Sequence, residues 1–351
     1  MSTNSNNANS HADSGFHVAM VGATGQVGET LIEILEQREF PVAKLSLVAS
    51  EKSQGKQLQF KGTYHKVQNL ADFDFEGVDI AFFSAGGAVS KKYVPIAANS
   101  GAVVIDNSSE FRNEFDVPLV IPEVNPNAME NFRERNIIAN PNCSTIQMLV
   151  ALKPIYDAVG ITRVEVATYQ AVSGAGKTAI KALAAQIGKL MNGLDVEDDC
   201  FHQQMAFNVI PHIDTLQENG YTREEMKMVW ETRKIFQDEN IEVNPTAVRV
   251  PVFFGHSEAI SIKTENFISA SEAKKLLNKA PGVEVIDHHE PFQYATPVSH
   301  AVGSDKTYVS RIREDLYNNN CLNLWVVSDN IRKGAALNAV QVAELLVKSY
   351  L

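Results

Sequence analysis

The sequence predicts an α/β protein with two domains, a doubly wound N-terminal domain followed by an α+β domain. Its 351 residues, 44% hydrophobic and 21% charged, are enough to bury a sizeable core and to split into two domains. In the first part of the chain, short apolar strands alternate with Gly/Ser-rich turns and helices, as in a parallel sheet covered on both faces. From about Val164 onward the strands become longer, which indicates a second domain of different architecture.

Composition and charge exclude several classes of protein. A net charge of -11 argues against a nucleic-acid partner, and no run approaches the roughly 20 apolar residues that a membrane span requires. Residues 1–15 are rich in Asn and Ser, so we expect a disordered tail rather than a signal peptide. Three cysteines at unrelated spacings argue against a disulfide framework, and the sequence predicts a cytoplasmic protein.

The first strand is expected over His17–Val21 and leads into a glycine turn. Gly22, Gly25 and Gly28 precede an amphipathic helix that carries apolar residues from Leu31 onward. Glycines at this point allow a pyrophosphate to approach the helix N-terminus, so the turn predicts a Rossmann-type dinucleotide-binding site. Because the spacing is GxxGxxG rather than GxGxxG, a plain tight turn is the alternative.

The second strand, Leu45–Ala49, bears on the choice of cofactor. In NAD-specific domains an acidic residue at the end of this strand binds the ribose hydroxyls. Here the strand ends in Ser50-Glu51-Lys52-Ser53, where Ser50, Lys52 and Ser53 suit a 2′-phosphate. The sequence therefore favours NADP, although Glu51 is also present.

Two more strands, Val78–Phe83 and Ala102–Asp106, continue the alternation. Each runs into a Gly/Ser-rich loop, which is expected at the ligand-binding edge of a parallel sheet. Arg112 follows the second loop and is suited to hold an anion with two hydrogen bonds. The alternative for Arg112 is a surface salt bridge with Glu110 or Glu114.

Cys143 is the candidate nucleophile. It follows a short strand, Ile137–Ala139, and stands at the start of a predicted helix for which Asn142 is the N-cap and which Pro154 ends or bends. Unpaired N–H groups and the positive end of the helix dipole stabilise a thiolate at this position. A buried structural cysteine is the alternative.

The strand expected over Val164–Tyr169 leads into a loop that includes Ser173 and Gly174, before a helix over Ala179–Met191. The loop ends in Gly-Lys-Thr, but Ala171 stands where a phosphate-binding loop needs its first glycine, so an ATPase is not predicted. A loop that contacts the cofactor is the functional interpretation, and a simple strand-to-helix turn is the alternative.

Thr222-Arg-Glu-Glu225 fits a helix capping box, and the helix that follows continues through apolar residues as far as Ile235. Glu224 and Lys227 are three residues apart and therefore neighbours on the helix surface. The structural alternative for this pair is a solvated ion pair.

Arg249 and His256 lie in a β-branched and aromatic stretch, Ala247–Glu265. Their odd spacing puts them on opposite faces of an unbroken strand. If both serve one site, the chain must bend near Pro251 or Gly255. A hydrogen-bonded structural role is the alternative for His256.

No metal site is predicted, because neither Cys200 with His202 nor the His288-His289 pair has a zinc-binding spacing. Near the C-terminus we expect an apolar strand over Leu324–Val327 and a helix over Ala335–Lys348.

Taken together, the motifs resemble the aspartate-β-semialdehyde dehydrogenase family from about residue 16 to the C-terminus. The matching segments are Gly22-Ala-Thr-Gly25-Gln-Val-Gly28, Asn140-Pro-Asn-Cys143-Ser-Thr, Thr168-Tyr-Gln170-Ala-Val-Ser-Gly174-Ala-Gly, Glu224-Glu-Met-Lys227, Arg249 with Gly255-His-Ser-Glu-Ala, and Trp325-Val-Val-Ser-Asp-Asn330. The resemblance implies an architecture similar to glyceraldehyde-3-phosphate dehydrogenase. An NADP-binding domain over 16–142 would be completed by the C-terminal helix, 331–351, and a catalytic and dimerisation domain would span 143–330.

The family reaction implied is the NADPH-dependent reduction of aspartyl-4-phosphate to aspartate-4-semialdehyde and phosphate, which leads to lysine, methionine, threonine and isoleucine. A homodimer is also implied. By the same resemblance, Cys143 is the acyl-thioester nucleophile, His256 the general acid/base, and Gln170 orients the substrate. Arg249 binds the α-carboxylate, Glu224 faces the amino group, and Arg112 and Lys227 bind phosphate. Asn142 is a further substrate contact. The implied cofactor contacts are Thr24, Gly25, Gln26, Val27, Ser50, Lys52, Ser53, Ser173, Gly174 and Asn330.

Two departures and three rival functions accompany this interpretation. Lys52 stands where relatives often have arginine, so the preference for NADP is softened, and residues before 16 match nothing in the family. The rivals are N-acetyl-γ-glutamyl-phosphate reductase, a catalytically silent scaffold, and a cysteine hydrolase that uses Cys143 and His256.

Overall fold

The computed structural model of the chain describes residues 15–197, 200–287 and 290–351, which form two compact units. One unit contains the residues up to Pro141 together with Ala335–Leu351, and the other contains Asn142–Gly334. Apart from Gly15, the predicted tail lies outside the described residues.

The first unit is built on a six-stranded sheet in which every pair of neighbours is parallel. Its elements up to residue 139 are β1 (Phe16–Val21), α1 (Gln26–Gln37), β2 (Val42–Ala49), β3 (Gln57–Phe60), β4 (Thr63–Lys66), β5 (Gln68–Asn69), β6 (Ile80–Phe83), α2 (Gly87–Asn99), β7 (Val103–Asp106) and β8 (Ile137–Ala139). The strand order is β5-β2-β1-β6-β7-β8. Successive strands are therefore added on one side of β1 as far as β5, and from β6 onward they are added on its other side. In doubly wound sheets, nucleotides bind at that switch point, outside the carboxyl ends of the strands.

The turn after β1 and the first turn of α1 each contain a position that accepts only glycine. Gly22 has φ +88°, and a Cβ there would lie 2.3 Å from the carbonyl oxygen of Ser84. A Cβ on Gly28 would lie 2.3 Å from the carbonyl oxygen of Gly22. The glycines therefore let β1, β6 and the start of α1 pack against one another, as the Rossmann-type prediction requires.

The second unit is an α+β structure around a mixed six-stranded sheet. Its elements are α3 (Cys143–Val159), β9 (Ile161–Gln170), α4 (Lys177–Met191), α5 (Arg223–Phe236), β10 (Glu242–Arg249), β11 (His256–Thr264), α6 (Ala270–Leu277), β12 (Val283–Val285), β13 (Thr307–Glu314) and β14 (Cys321–Ser328). The strand order is β10-β9-β11-β14-β13-β12. Helix α3 packs across β9, β11, β13 and β14.

Helix α3 continues past the proline at which the sequence predicted an end or a bend. Pro154 lies inside the helix, which runs on to Val159. Leu149, Leu152 and Ile155 are fully or almost fully buried on either side of it. Because proline removes one backbone donor, the packing of these side chains against the sheet has to offset the lost hydrogen bond.

The β-branched and aromatic stretch Ala247–Glu265 contains the end of one strand and the whole of the next. β10 ends at Arg249, and β11 begins at His256, so the intervening residues form the bend that the sequence required. Gly255 has φ +86°, and a Cβ there would lie 2.8 Å from Cβ of Pro297. Only glycine fits both that conformation and that space.

The last helix, α7 (Leu337–Ser349), belongs to the first unit. It contacts α1 and β7, and Leu337, Val340 and Leu346 share a hydrophobic cluster with Leu31 and Leu35 of α1.

None of the helices in the described ranges is long and apolar enough to cross a membrane. The observed architecture confirms the predicted fold class.

Candidate active site

Strand register brings three predicted residues of the second unit into one row. Arg249 pairs with Gln170 across β10 and β9, and the pairing of Ser257 with Tyr169 sets His256 beside Gln170 across β11 and β9. Residues that pair across neighbouring strands point to the same face of a sheet. The break between β10 and β11 therefore places Arg249 and His256 on one side, which their spacing in the sequence did not suggest.

The start of α3 lies at the same end of the sheet. Helix α3 is followed at Gly160 by a turn into β9, which runs back along it and ends at Gln170. Asn142 is the N-cap, as predicted, and its Oδ1 accepts hydrogen bonds from the backbone N–H groups of Ser144 and Thr145 at 3.0 and 3.3 Å. Cys143 is thus held, half-buried, at the positive end of the helix dipole.

Glu224 connects the elements of this site. Its Oε1 accepts hydrogen bonds from Asn142 Nδ2 at 2.9 Å and from Gln170 Nε2 at 3.2 Å, and its Oε2 faces Lys227 Nζ at 3.0 Å. Burial by itself raises the pKa of Glu224, but the charges of Lys227 and Arg249 and the hydrogen bonds of Asn142 and Lys227 hold it at about 2. Glu224 is only 6% exposed, so the pair with Lys227 is part of an internal network rather than a solvated ion pair.

Two acidic residues of this network were not predicted from the sequence. Asp214 Oδ2 accepts a second hydrogen bond from Lys227 Nζ at 2.8 Å. Glu231, which is almost fully buried, accepts one from the backbone N–H of Asn142 at 2.6 Å. Glu231 follows Glu224 by two helical turns, and this spacing was the signal that could have found it. No pattern in the sequence pointed to Asp214.

The imidazole of His256 is fully buried, and a hydrogen bond at its Nδ1 determines which nitrogen carries the proton. The backbone N–H of Ala171 donates to Nδ1 at 3.0 Å, so the neutral ring carries its proton on Nε2. Burial lowers the pKa of His256 to about 3, assisted by the positive charge of Arg249. Within the part of the chain that the structure describes, Nε2 has no hydrogen-bond partner and so remains available to a substrate.

Arg249 lies close to the same point. Its Nη1 donates to the carbonyl oxygen of Ala171 at 2.8 Å. A Cβ on Gly174 would lie 3.3 Å from Arg249 Nη1 and 3.4 Å from His256 Nε2, which shows that the two side chains converge. Burial lowers the pKa of Arg249, while the negative charge of Glu224, and that of Cys143 when it is ionised, oppose this change. A guanidinium remains charged under these conditions.

The predicted cofactor contacts of this unit form one hydrogen-bonded group. Asn330 Nδ2 donates to Ser173 Oγ at 3.0 Å, and Asn330 Oδ1 accepts from the backbone N–H of Gly255 at 2.9 Å. Gly174 lies in the same short 3₁₀ helix as Ser173. The bond to Gly255 fixes the group to the turn that leads into His256.

The nucleotide-binding residues predicted in the first unit gather at the switch point. Gly25 is the N-cap of α1 and has no side chain to cap the N–H groups of the first turn, where Gln26 and Val27 lie. Such a helix start suits a pyrophosphate. Thr24 Oγ1 and Ser53 Oγ lie 3.1 Å apart, which joins this turn to the segment after β2. The residues present therefore fit a dinucleotide.

The segment after β2 also carries the predicted 2′-phosphate contacts. Ser50 and Lys52 are exposed, and Ser53 is buried. Lys56 Nζ donates to Ser53 Oγ at 3.3 Å, so a second cation, which sequence reasoning missed, lies beside this segment.

Arg112, also in the first unit, is buried with 7% exposure, which differs from the surface position of the alternative interpretation. Its Nη2 donates to the carbonyl oxygen of Asn107 at 2.8 Å. The loop is organised by Asp106, which accepts hydrogen bonds from Ser90 Oγ at 2.7 Å and Ser108 Oγ at 2.6 Å. Burial raises the pKa of Asp106, against the effect of these hydrogen bonds and of the Arg112 charge.

Among residues 15–197, 200–287 and 290–351, no group of three His, Cys, Asp or Glu side chains is arranged to hold a metal ion. Cys200 is exposed, and the His288-His289 pair lies outside the described residues.

Comparisons with known proteins agree with this arrangement. Residues 17–132 match the family described as "Semialdehyde dehydrogenase, NAD binding domain", and residues 152–333 match "Semialdehyde dehydrogenase, dimerisation domain". The chain is 60% identical over 335 residues to aspartate-semialdehyde dehydrogenase from Shewanella sp. (strain DB6705), covering 95% of this chain and 98% of that protein.

Two solved structures of aspartate-semialdehyde dehydrogenases are similar to the structure of this chain. Aspartate semialdehyde dehydrogenase II from Vibrio cholerae, complexed with ASA, has a TM-score of 0.94 and 57% identity, covering 96% of this chain and 99% of that one. The enzyme from Candida albicans, solved with NADP, has a TM-score of 0.74 and 25% identity, covering 95% and 98%. The chain is a nicotinamide-dinucleotide oxidoreductase, and it belongs to the aspartate-semialdehyde dehydrogenase family.

Proposed function

We propose that the chain catalyses the NADPH-dependent reduction of L-aspartyl-4-phosphate to L-aspartate-4-semialdehyde and phosphate, in the biosynthesis of lysine, methionine, threonine and isoleucine. The observation that carries this proposal is the convergence of Cys143, Glu224, Arg249 and His256 at one end of the second sheet. The names of the relatives support the choice of substrate.

The charges of the site suit an amino acid. Glu224 is ionised and buried, and is therefore the counter-ion for the α-ammonium group. Arg249 presents a planar guanidinium for the α-carboxylate. Gln170 Nε2 and Asn142 Nδ2 both reach Glu224 and so orient this end of the substrate.

The other end of the substrate carries a phosphate, for which the chain supplies cations. Lys227 is the phosphate ligand of the second unit, and Arg112 that of the first. Both assignments rest on the motif resemblance together with charge.

The chemistry begins at Cys143, whose thiolate is favoured by the α3 dipole and by Arg249. Attack of the sulfur on the acyl carbon breaks the bond to the phosphate oxygen, releases phosphate and leaves a thioester. NADPH, when bound, would supply the hydride that reduces this carbonyl. The neutral Nε2–H of His256 donates a hydrogen bond to the carbonyl oxygen as negative charge develops there, and its proton is shared with that oxygen in the thiohemiacetal. The proton returns fully to Nε2 as the C–S bond breaks, which gives aldehyde and thiolate.

The preference for NADP over NAD is part of the proposal. Thr24, Gly25, Gln26 and Val27 are the pyrophosphate contacts, and Ser50, Lys52 and Ser53 surround the 2′-phosphate. The further cofactor contacts, Ser173, Gly174 and Asn330, belong to the second unit.

A spectrophotometric assay tests the reaction. We expect absorbance of NADPH to rise when the chain is given aspartate-4-semialdehyde, NADP and inorganic phosphate, and to stay flat when phosphate is omitted. Turnover only with the N-acetylglutamate analogue would move the substrate to the rival reductase. Hydrolysis without any nicotinamide cofactor would favour a cysteine hydrolase, and silence with all substrates would favour a scaffold.

Lys52→Ala is expected to raise the KM for NADPH about tenfold, the size expected for one hydrogen bond to a charged group, and to leave the KM for NADH unchanged. Steady-state kinetics with both cofactors measure the effect. Lys92→Ala, which removes an exposed lysine from α2, is the matched control. An equal loss with NADH would show that Lys52 does not read the 2′-phosphate.

We further propose a homodimer that forms through the face of the second sheet opposite α3. Tyr169 is 38% exposed on this face and packs against Trp325 at 5.6 Å between ring centroids. Arg311 and Arg313 are exposed nearby. Sedimentation equilibrium should give twice the 38.6 kDa chain mass, and Tyr169→Glu should shift the protein towards monomer. A monomeric wild type would refute this assembly.

A further inference from the structure

The ammonium group of Lys227 is already shared between two carboxylates. Its Nζ donates to Glu224 at 3.0 Å and to Asp214 at 2.8 Å. The side chain of Lys227 is 15% exposed, and that of Asp214 is 32% exposed. An ammonium group has three N–H donors, so one remains for an incoming anion.

Asp214 is oriented by a hydrogen bond from the next residue and by the conformation of its own backbone. The N–H of Thr215 donates to Asp214 Oδ1 at 2.8 Å, which leaves Oδ2 directed at Lys227. Asp214 has φ +69°, in the left-handed region that aspartate tolerates better than most residues. The carboxylate is therefore oriented locally, before any contribution from the lysine.

The segment around Asp214 is tied to the two elements that carry the cations. Ile210 and Arg249 exchange backbone hydrogen bonds at 2.9 and 2.8 Å. On the other side, the N–H of Arg223, at the start of α5, donates to the carbonyl oxygen of Thr215 at 2.7 Å. The segment that carries Asp214 is thus connected through backbone hydrogen bonds to the strand of Arg249 and to the helix of Lys227.

The positive charge of Lys227 is already opposed by the carboxylates of Glu224 and Asp214 without substrate. Arg249 and Lys227 are positive, and Glu224 and Asp214 are negative. Burial opposes ionisation of both Asp214 and Lys227. The hydrogen bond and charge of Lys227 nevertheless lower the pKa of Asp214, and the charge of Glu224, followed by the hydrogen bond and charge of Asp214, raises the pKa of Lys227. A phosphate that approaches Lys227 therefore also meets the negative charge of Asp214.

We propose that Asp214 is a positioning residue that holds Lys227 in reach of the phosphate and also weakens phosphate binding by sharing the ammonium group. The inference rests on the proposed function, in which Lys227 binds phosphate. A weakened phosphate site suits a reaction that must release phosphate in each turnover, because tight binding of the product would slow the next cycle.

Asp214→Asn tests the electrostatic part of this inference. The amide removes the charge and keeps one oxygen acceptor, which can serve Lys227 when the bond from Thr215 is given up, because the NH2 group that replaces the other oxygen cannot accept. We expect the Kd for inorganic phosphate, measured by phosphorus NMR on the full chain, to fall about fivefold at low salt, and this gain to shrink as ionic strength rises. The KM for the aldehyde should stay within about twofold, because the effect is confined to the phosphate site.

Asp214→Ala tests the positioning part, since alanine removes the acceptor as well as the charge. We expect kcat to fall more in this variant than in Asp214→Asn, because Lys227 loses one of its two partners. Asp157→Asn is the matched control, as Asp157 pairs with Lys153 on the exposed side of α3 and should leave phosphate binding unchanged.

The outcomes separate the inference from the proposed function. Tighter phosphate binding in Asp214→Asn without aldehyde turnover in the wild type would support the role of Asp214 and refute the substrate assignment. Phosphate-dependent turnover in the wild type with an unchanged or raised phosphate Kd in Asp214→Asn would refute the role of Asp214 alone. Absence of phosphate binding in both proteins would also overturn the inference.

Discussion

Cys143→Ser is expected to lower kcat for aldehyde oxidation by at least about 10⁴-fold, the scale on which loss of a catalytic nucleophile acts. Serine is nearly isosteric with cysteine, but its hydroxyl has a far higher pKa, so the α3 dipole cannot ionise it. The thioester that accepts hydride then does not form. Single-turnover formation of NADPH with the semialdehyde and phosphate measures the effect.

The control for this prediction is Cys200→Ser, which replaces an exposed thiol outside both sheets. It should retain full activity, and circular dichroism should show both variants folded. Because a Cβ on Gly334 would lie 2.8 Å from Cβ of Cys143, the space around the thiol is small and the serine should not rearrange it. Wild-type turnover by a pure Cys143→Ser sample would end the assignment of the nucleophile.

His256→Gln is expected to lower kcat by about 10²- to 10⁴-fold, the usual contribution of a general acid/base. The glutamine amide can still donate a hydrogen bond but cannot exchange a proton. KM for the aldehyde should change little, because Arg249 and Glu224 carry substrate binding in our proposal. Steady-state kinetics across pH, with His65→Gln as the control, measure the effect. A change in KM with an unchanged kcat would contradict the assignment.

The same variant has a consequence for stability. The pKa of His256 is lowered from 6.5 to about 3, chiefly by burial, so the unfolded chain binds a proton between these values that the folded chain does not. The contribution of His256 to the free energy of unfolding is therefore full above pH 6.5 and is lost as the pH falls towards about 3. Urea unfolding at two pH values should show His256→Gln losing less stability on acidification than the wild type. Equal losses would contradict the buried neutral imidazole.

Local sequence patterns were sufficient for much of the fold. The glycine turn, the N-cap at Asn142 and the capping box of α5 were all read from short spacings, and each is present in the structure. These features depend on backbone conformations and hydrogen bonds within a few residues. Of the two outcomes predicted at Pro154, an end or a bend of α3, the end does not occur, because long-range burial around Pro154 outweighs a local helix breaker.

Local sequence patterns predicted only part of the candidate site. Its residue types came from motif resemblance, while their roles remain predictions that the variants above test. No sequence pattern pointed to Asp214, and Glu231 was missed although it follows Glu224 by two helical turns. Each joins the site through a contact with another segment of the chain. The capping-box spacing did separate Glu225, at the start of α5, from Glu224, which the motif resemblance placed in the site. In the structure, Glu225 closes the capping box and accepts from Ala247, while Glu224 faces Asn142 and Gln170.

By itself, the sequence determined the class of the protein: an α/β chain with a dinucleotide-binding turn and a cysteine at a helix N-terminus. Periodicity, glycine spacing and helix caps are local properties, and they are enough for that. Only the tertiary structure decided that Arg249 and His256 share one face, through a break at Gly255, and that Lys227 lies between two carboxylates. Such arrangements depend on strand register and on packing between distant segments, which local spacing does not specify.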